Sequence, residues 1–219
     1  MALNLPDGQR AERKYLITVA EWESSEGTIY EVLTQEPSDW STSYTNYYTR
    51  SGTSPNYTYE AVTGSTAPTF VTSTYYKRLA REILGKRVED SSIEFNPDIA
   101  TSTDILGITY TDVNKTEPQQ TFDPFNVIGG SKLASYLVDA ALSNDITKYN
   151  NTFTVYVISA FIGASEAYKA VKHTGCSIIP TSLGGDAWVQ MPIEVHYSNN
   201  ITKGTVDKLA DDFEFTPAS

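Results

Sequence analysis

Thr152-Phe153-Thr154-Val155-Tyr156-Val157 alternates side chains as a strand requires, with Phe153, Val155 and Val157 on one face. The run extends to Ile162, so a strand is predicted over Thr152–Ile162. Working outward, Tyr168–Ile179 and Trp188–Tyr197 read as further strands, the latter alternating fairly from Met191 to Tyr197. A last short run surrounds Phe213. Upstream, Ile105–Val113 and Thr121–Val127 complete the set. Seven or eight short strands separated by Gly, Asn, Asp and Pro clusters predict a mostly β chain, a β-sandwich or partial barrel.

Two stretches carry helical spacing. In STYYKRLAREILGKR, Tyr76, Leu79, Ala80, Ile83 and Leu84 predict a helix over about 74–84, with Ser73 or Thr74 as cap and Gly85 as stop. In SKLASYLVDAALSND, Leu133, Tyr136, Leu137, Ala140 and Ala141 share one face and Ser131 is the N-cap. Near the start, YLITVAEW and TIYEVLT flank Ser24-Ser25-Glu26-Gly27, which predicts a hairpin over Tyr15–Thr34. Between these elements, about 36–74, lies a stretch rich in Ser, Thr, Tyr, Asn, Pro and Gly. Trp40, Tyr44, Tyr47, Tyr48, Tyr57 and Tyr59 are spread through it. Disordered linkers are poor in aromatics. The stretch therefore predicts a long extended arm, inserted in one domain spanning 1–219, whose rings form subunit contacts.

Composition narrows the function. The 219 residues carry 16 basic and 27 acidic side chains, a net charge of −11. Phosphate backbones are bound by Lys and Arg that displace counterions, so specific nucleic-acid binding is not expected. Cys176 is the single cysteine, so no internal disulfide can form. MALNLPDGQRAERKY lacks a signal-peptide pattern, and no apolar run approaches the roughly 20 residues that span a bilayer. A protein that folds in a cytoplasm, without a membrane partner, is expected.

Catalytic patterns are wanting. His173 and His196 sit in predicted strands, and His173 and Cys176 lack a second pair to complete a metal site. Gly163-Ala164-Ser165-Glu166 lacks the second glycine of a nucleophile elbow. Gly129-Gly130-Ser131-Lys132 precedes a helix but lacks phosphate-loop spacing, and reads as a turn with an N-cap. Four N-x-S/T sequons, at Asn56, Asn114, Asn150 and Asn200, matter only in a secreted chain. No enzyme, cofactor or metal is expected.

The order of elements from about Glu89 to Val206 carries a resemblance. QTFDPFNVIGGSKLASYLVDAALSND is followed by TFTVYVISAFIG and then EAYKAVKHTGCSIIPTSLGGDAWVQMPIEVHYSNNITKGTV. This succession resembles the major tail tube proteins of long-tailed bacteriophages. There a helix lies between strands of a β-sandwich, a following strand ends in a Gly/Asp loop (here Thr181–Asp186), and the next strand closes in a turn (here Asn199–Gly204). The resemblance implies a structural virion protein, assembled in the bacterial host cytoplasm. It implies hexameric rings stacked into a tube that conducts DNA without binding it, and an arm from the N-terminal half reaching a neighbour. It also implies as partners the subunit itself, a tape measure, a tail terminator and a distal tail protein. An acidic conduit wall would repel phosphate weakly at many points, about 1 kcal/mol per close pair in water. The competing expectations are a surface β-sandwich adhesin, another virion protein such as a terminator or decoration protein, and a carboxylate-based hydrolase.

Overall fold

In the computed structural model, residues 5, 7–85, 88, 91–164 and 166–218 are described. The protein is mostly β. Along the chain the strands are β1 (Leu16–Glu23), β2 (Ile29–Val32), β3 (Tyr48–Thr53), β4 (Asn56–Ala61) and β5 (Tyr75–Ile83). There follow β6 (Ile93–Glu94), β7 (Pro97–Thr103), β8 (Thr109–Thr116), β9 (Gln119–Phe122) and β10 (Phe153–Ala164). The last are β11 (Ala167–Pro180), β12 (Ile193–His196), β13 (Ile201–Val206) and β14 (Phe215–Pro217). Two short helices accompany them, α1 (Trp40–Ser43) and α2 (Lys132–Leu142). The chain divides into two compact units: the described residues up to Ala20 with those from Glu82 onward, and residues 21–81.

The first unit is built around β10 and β11. They pair antiparallel, Val155 opposite His173 and Val157 opposite Val171. β1 also pairs with β10. Residues Tyr168–His173 of β11 pair with β13, whereas Ser177–Pro180 pair with β12. The exchange of partners occurs around Gly175, whose φ is +82°. There the register slips from Phe153 opposite Cys176 to Thr154 opposite Thr174, leaving Gly175 unpaired with β10. A bulged residue in the left-handed region bends its strand and is tolerated best as glycine. From β12 the ladder continues to β9 and then β6, while β13 pairs with β14. Both faces of β10 are covered: Phe153, Val155, Tyr156 and Ile158 are all buried. Tyr156 and Ile158 join Val19, Ala170, Val206 and Phe213 in one apolar cluster.

α2 forms where its spacing places it, burying Leu133, Ala134, Leu137 and Ala140. Ser131 is its N-cap, its Oγ accepting from the Ala134 N–H at 3.0 Å. A further donor of the first turn meets a carboxylate of the same unit. Glu82 accepts from the Leu133 N–H (3.1 Å) and from the Ser131 hydroxyl (2.6 Å), satisfying orphan amides and complementing the helix dipole.

In the second unit β3 pairs with β4, and both β2 and β3 pair with β5. Its core is aromatic: Trp40, Tyr44, Tyr47, Val62 and Tyr75 are buried together, with Leu33, Ala67 and Phe70 packed against them.

Three expectations are corrected here. The stretch 74–84 is strand β5, not a helix. Tyr75, Tyr76, Leu79 and Ala80 are all buried and the backbone is paired to β2 and β3, so tertiary pairing overrides a helix-compatible spacing. The Tyr15–Thr34 hairpin does not close on itself, because β2 takes β5 as its partner, Ile29 opposite Leu79. Gly27 permits that approach: a Cβ there would lie 2.2 Å from the Leu79 carbonyl oxygen. Finally, residues 36–74 form no extended arm. They supply α1, β3, β4 and most of the aromatic core of residues 21–81.

Candidate functional site

A long projection of the first unit lies elsewhere. β7 and β8 pair only with each other, from Pro97 opposite Thr116 to Thr103 opposite Thr109. They continue the β6–β9 pairing, across a break where the Glu117 N–H donates to the Phe95 carbonyl (3.1 Å) and the Asn96 amide to the Glu117 carbonyl (3.2 Å). Each strand is about 20 Å long. Every residue from 94 to 117 is exposed except Asp104. Yet Ile99 and Val113, a cross-strand pair, are apolar, as are Ile105, Leu106 and Ile108 at the tip and the ring of Tyr110.

The tip is held in shape by Asp104. One carboxylate oxygen accepts the N–H groups of Leu106 (2.8 Å) and Ile108 (2.9 Å), and the other the Tyr110 hydroxyl (3.2 Å). Gly107 takes φ +80° and donates its N–H to the Asp104 carbonyl (3.0 Å). A left-handed glycine closing such a loop is a common hairpin solution. The result presents Ile105 wholly exposed, at 102%, on an ordered turn. Donation from the Ile108 N–H, with smaller help from Leu106 and Tyr110, holds the Asp104 carboxyl below the ordinary carboxylate range. A depressed folded-state value means the ionised form supports the tip above the unfolded value, and that support is lost as pH falls through the folded one. Asp104→Ala is therefore expected to speed amide hydrogen exchange at Leu106 and Ile108 roughly tenfold, without altering exchange in β10 or β11.

The base of the hairpin is anchored by a buried polar network. Gln120 on β9 is 1% exposed. Its carbonyl oxygen accepts from the Thr18 hydroxyl (2.9 Å) and the Tyr197 hydroxyl (2.6 Å), and its amide donates to Ser91 Oγ (3.0 Å). Buried polar groups satisfied in this way rigidify their surroundings. Beside the base lies a largely apolar hollow of about 620 Å³, lined by Phe95, Pro118, Val157, Val171 and Ile201 among others.

The aromatics expected at subunit contacts fall on two sides of the second unit. Trp40, Tyr44 and Tyr47 are buried in its core, with polar atoms satisfied by their own chain. The Trp40 indole donates to the Pro68 carbonyl (2.8 Å), the Tyr44 hydroxyl to Gly64 (2.8 Å) and the Tyr47 hydroxyl to Asp39 Oδ1 (3.0 Å). Tyr48, Tyr57 and Tyr59 are at least partly exposed on the sheet.

The residues singled out for chemistry take ordinary places. Cys176 is fully buried, its thiol directed at the His173 carbonyl (3.4 Å), and burial pushes its pKa up. A thiol so placed is a poor nucleophile. His173 is buried, with Nδ1 3.0 Å from the Ser198 carbonyl oxygen and its ring edge-on to Tyr197. His196 is half-exposed beside Glu194. The Gly129–Lys132 segment leads into α2, whose Leu133 and Ala134 amides are taken up by Glu82 and Ser131. β10 runs into β11 by a tight turn at Glu166, a strand-to-strand connection unlike a nucleophile elbow; Ser165 itself lies outside the described residues. Among the described residues no three His, Cys, Asp or Glu side chains gather as a metal ion would need. Among the described residues no helix is long and apolar enough to cross a membrane.

The sequence predicts a strand over Ile105–Val113 but not a projecting hairpin. Its signal was present in the Asp104–Ile108 turn, where Asp and Gly flank two apolar residues that a core strand would not place at a bend. Compared with known proteins, the sequence matches no family model and no curated protein.

Proposed function

We propose that this protein is the self-assembling subunit of a bacteriophage tail tube, a structural virion component without catalytic activity. The observation that carries the reading is the 97–116 hairpin. A chain that exposes Ile99, Ile105, Leu106, Ile108, Tyr110 and Val113 on one ordered projection has left apolar surface for another chain to cover. The free backbone edges of β7 and β8 add a second mode of joining, since an unpaired strand templates pairing with a neighbour. In this reading the hairpin, and not residues 36–74, is the arm that the resemblance implies. Rings of six copies stack into a tube, closed by a tail terminator and assembled around a tape measure, with a distal tail protein at the far end.

The acidic balance suits a conduit. A Lys or Arg facing the lumen would be repeated around every ring and would retain DNA, whereas a net charge of −11 per subunit opposes adhesion. Negative-stain electron microscopy of the purified, concentrated protein tests the proposal. Rings or tubes of uniform diameter are expected, and uniform monomers at the highest attainable concentration would overturn it.

A further inference from the structure

The second unit presents two contrasting faces. On the buried face the Tyr44 and Tyr47 hydroxyls each have a partner in the chain. On the other face alternation along β2, β3, β4 and β5 brings Tyr30, Tyr48, Tyr57, Tyr59 and Tyr76 together with Arg50 and Arg78. The register sets Tyr30 opposite Arg78, Tyr48 opposite Tyr76 and Arg50 opposite Tyr59.

The rings form an ordered platform. Tyr30 and Tyr59 stack with centroids 3.8 Å apart and planes 2° from parallel, while Tyr48 stands edge-on to Tyr30 and Tyr76 edge-on to Tyr59. Arg50 lies over Tyr57 (4.2 Å) and Tyr76 (5.0 Å), and Arg78 lies 5.9 Å from both Tyr30 and Tyr48. Stacking on aromatic faces fixes guanidinium groups in place while leaving their N–H forks free. Among the described residues no carboxylate pairs with either arginine, and Arg78 spends one N–H on the Gly27 carbonyl (2.5 Å). None of the five phenol hydroxyls bonds to another protein group among the described residues. At the margin of this face, a polar cleft of about 300 Å³ is lined by Tyr48, Arg78, Asn46, Ser24, Ser25 and Glu23.

We infer that this face is a binding site for a neutral oligosaccharide. A pyranose ring has an apolar face of C–H bonds that stacks on an aromatic ring, and a rim of hydroxyls that both donate and accept. The platform supplies the rings, and the hydroxyls of Tyr30, Tyr48, Tyr57 and Tyr59 with two arginine forks supply the rim contacts, while the buried Tyr76 backs Tyr59 and Arg50 from beneath. The cleft adds an amide, two serine hydroxyls and a carboxylate, the mixture that vicinal hydroxyls require. Charge separates this ligand from a nucleic acid, which also stacks on aromatics. Single strands need a positive groove along the backbone, and residues 21–81 carry seven carboxylates against four basic side chains, with Glu23 in the cleft. An uncharged ligand meets no such repulsion.

The inference stands apart from the tube reading, because it concerns residues 21–81 and can be tested at concentrations where the protein does not assemble. The probes are tetrasaccharides of glucose, N-acetylglucosamine, mannose and galactose, with a dT12 oligonucleotide as comparison, followed by amide chemical shifts in NMR. At least one saccharide is expected to shift resonances of Tyr30, Arg50, Tyr59 and Arg78 with a dissociation constant in the millimolar range or tighter, about the strength of a few stacking contacts. Tyr59→Ala and Arg50→Ala should each weaken it by about tenfold or more. Circular dichroism should be unchanged for both, and the exposed Arg50→Ala should also keep the melting temperature, so that lost binding is not lost folding. No saccharide shift on this face with dilute protein and ~10 mM saccharide, a range that covers weak sites, would overturn the inference. So would tighter binding of dT12, which would give the face to nucleic acid.

Discussion

Replacing residues 98–115 by a two-residue Asn-Gly turn is expected to leave a folded monomer that forms no rings or tubes. The segment removed is exposed throughout apart from Asp104 and pairs only with itself, so its loss removes no core contact. Surface changes of this kind alter stability by about 0.5 kcal/mol or less, and a shorter loop costs less to close. Assembly is another matter. Covering six large apolar side chains on a neighbour is worth on the order of 10 kcal/mol gross per subunit. Against that stand roughly 4–15 kcal/mol of lost translational and rotational freedom on docking. Without the hairpin nothing offsets that loss, and the fall in assembly should be complete rather than graded. Sedimentation of the variant beside the parent protein checks this, with circular dichroism confirming the fold. Tubes formed by the shortened protein would show that assembly rests on other surfaces.

Trp40→Ala is expected to cost about 3–5 kcal/mol and to unfold residues 21–81 first. Trp40 is 3% exposed and touches Tyr47, Phe70 and Tyr75, with ring centroids 5.4, 5.3 and 4.6 Å away. Its truncation leaves a cavity among rings too stiff to close it, and strands the Pro68 carbonyl that the indole satisfied. In a unit of this size the melting transition should fall by more than about 10 °C. Had residues 36–74 been an arm that folds only against a neighbour, the same substitution would leave the monomer's melting untouched and harm assembly alone. Calorimetry of the dilute monomer distinguishes the two outcomes.

What could be read from the sequence follows from where each segment's partners lie. β10 and α2 were legible because their patterns are local: alternation from Thr152, and a serine cap followed by apolar residues at helical spacing. β5 was not. Tyr75, Tyr76, Leu79 and Ala80 stand in positions that a one-faced helix and a strand buried on both sides satisfy equally, and only the partners β2 and β3 decide between them. Residues 36–74 were correctly seen to need partners for their aromatic rings. Those partners, Tyr75 among them, come from the same chain. The hairpin was missed for the converse reason. Ile99, Ile105 and Val113 look like core residues in any sequence, and composition does not say whether apolar surface is buried within a fold or kept for another molecule. β13 was likewise mistaken for a closing turn, since Ile201–Val206 opens directly on an Asn-Asn corner.

The bend at Gly175 sets the chain's one thiol beside the point where β11 changes partners. Cys176 is sealed there, with the Ser198 N–H 3.5 Å from its sulfur. A thiol-directed reagent can reach it only when the strand parts from its neighbours, so the pace of labelling is a clock for that local opening. No engineered probe is needed, and no second cysteine blurs the signal. The same clock, started in dilute protein and again in concentrated protein, tests whether the proposed association at the surface restrains breathing in the interior.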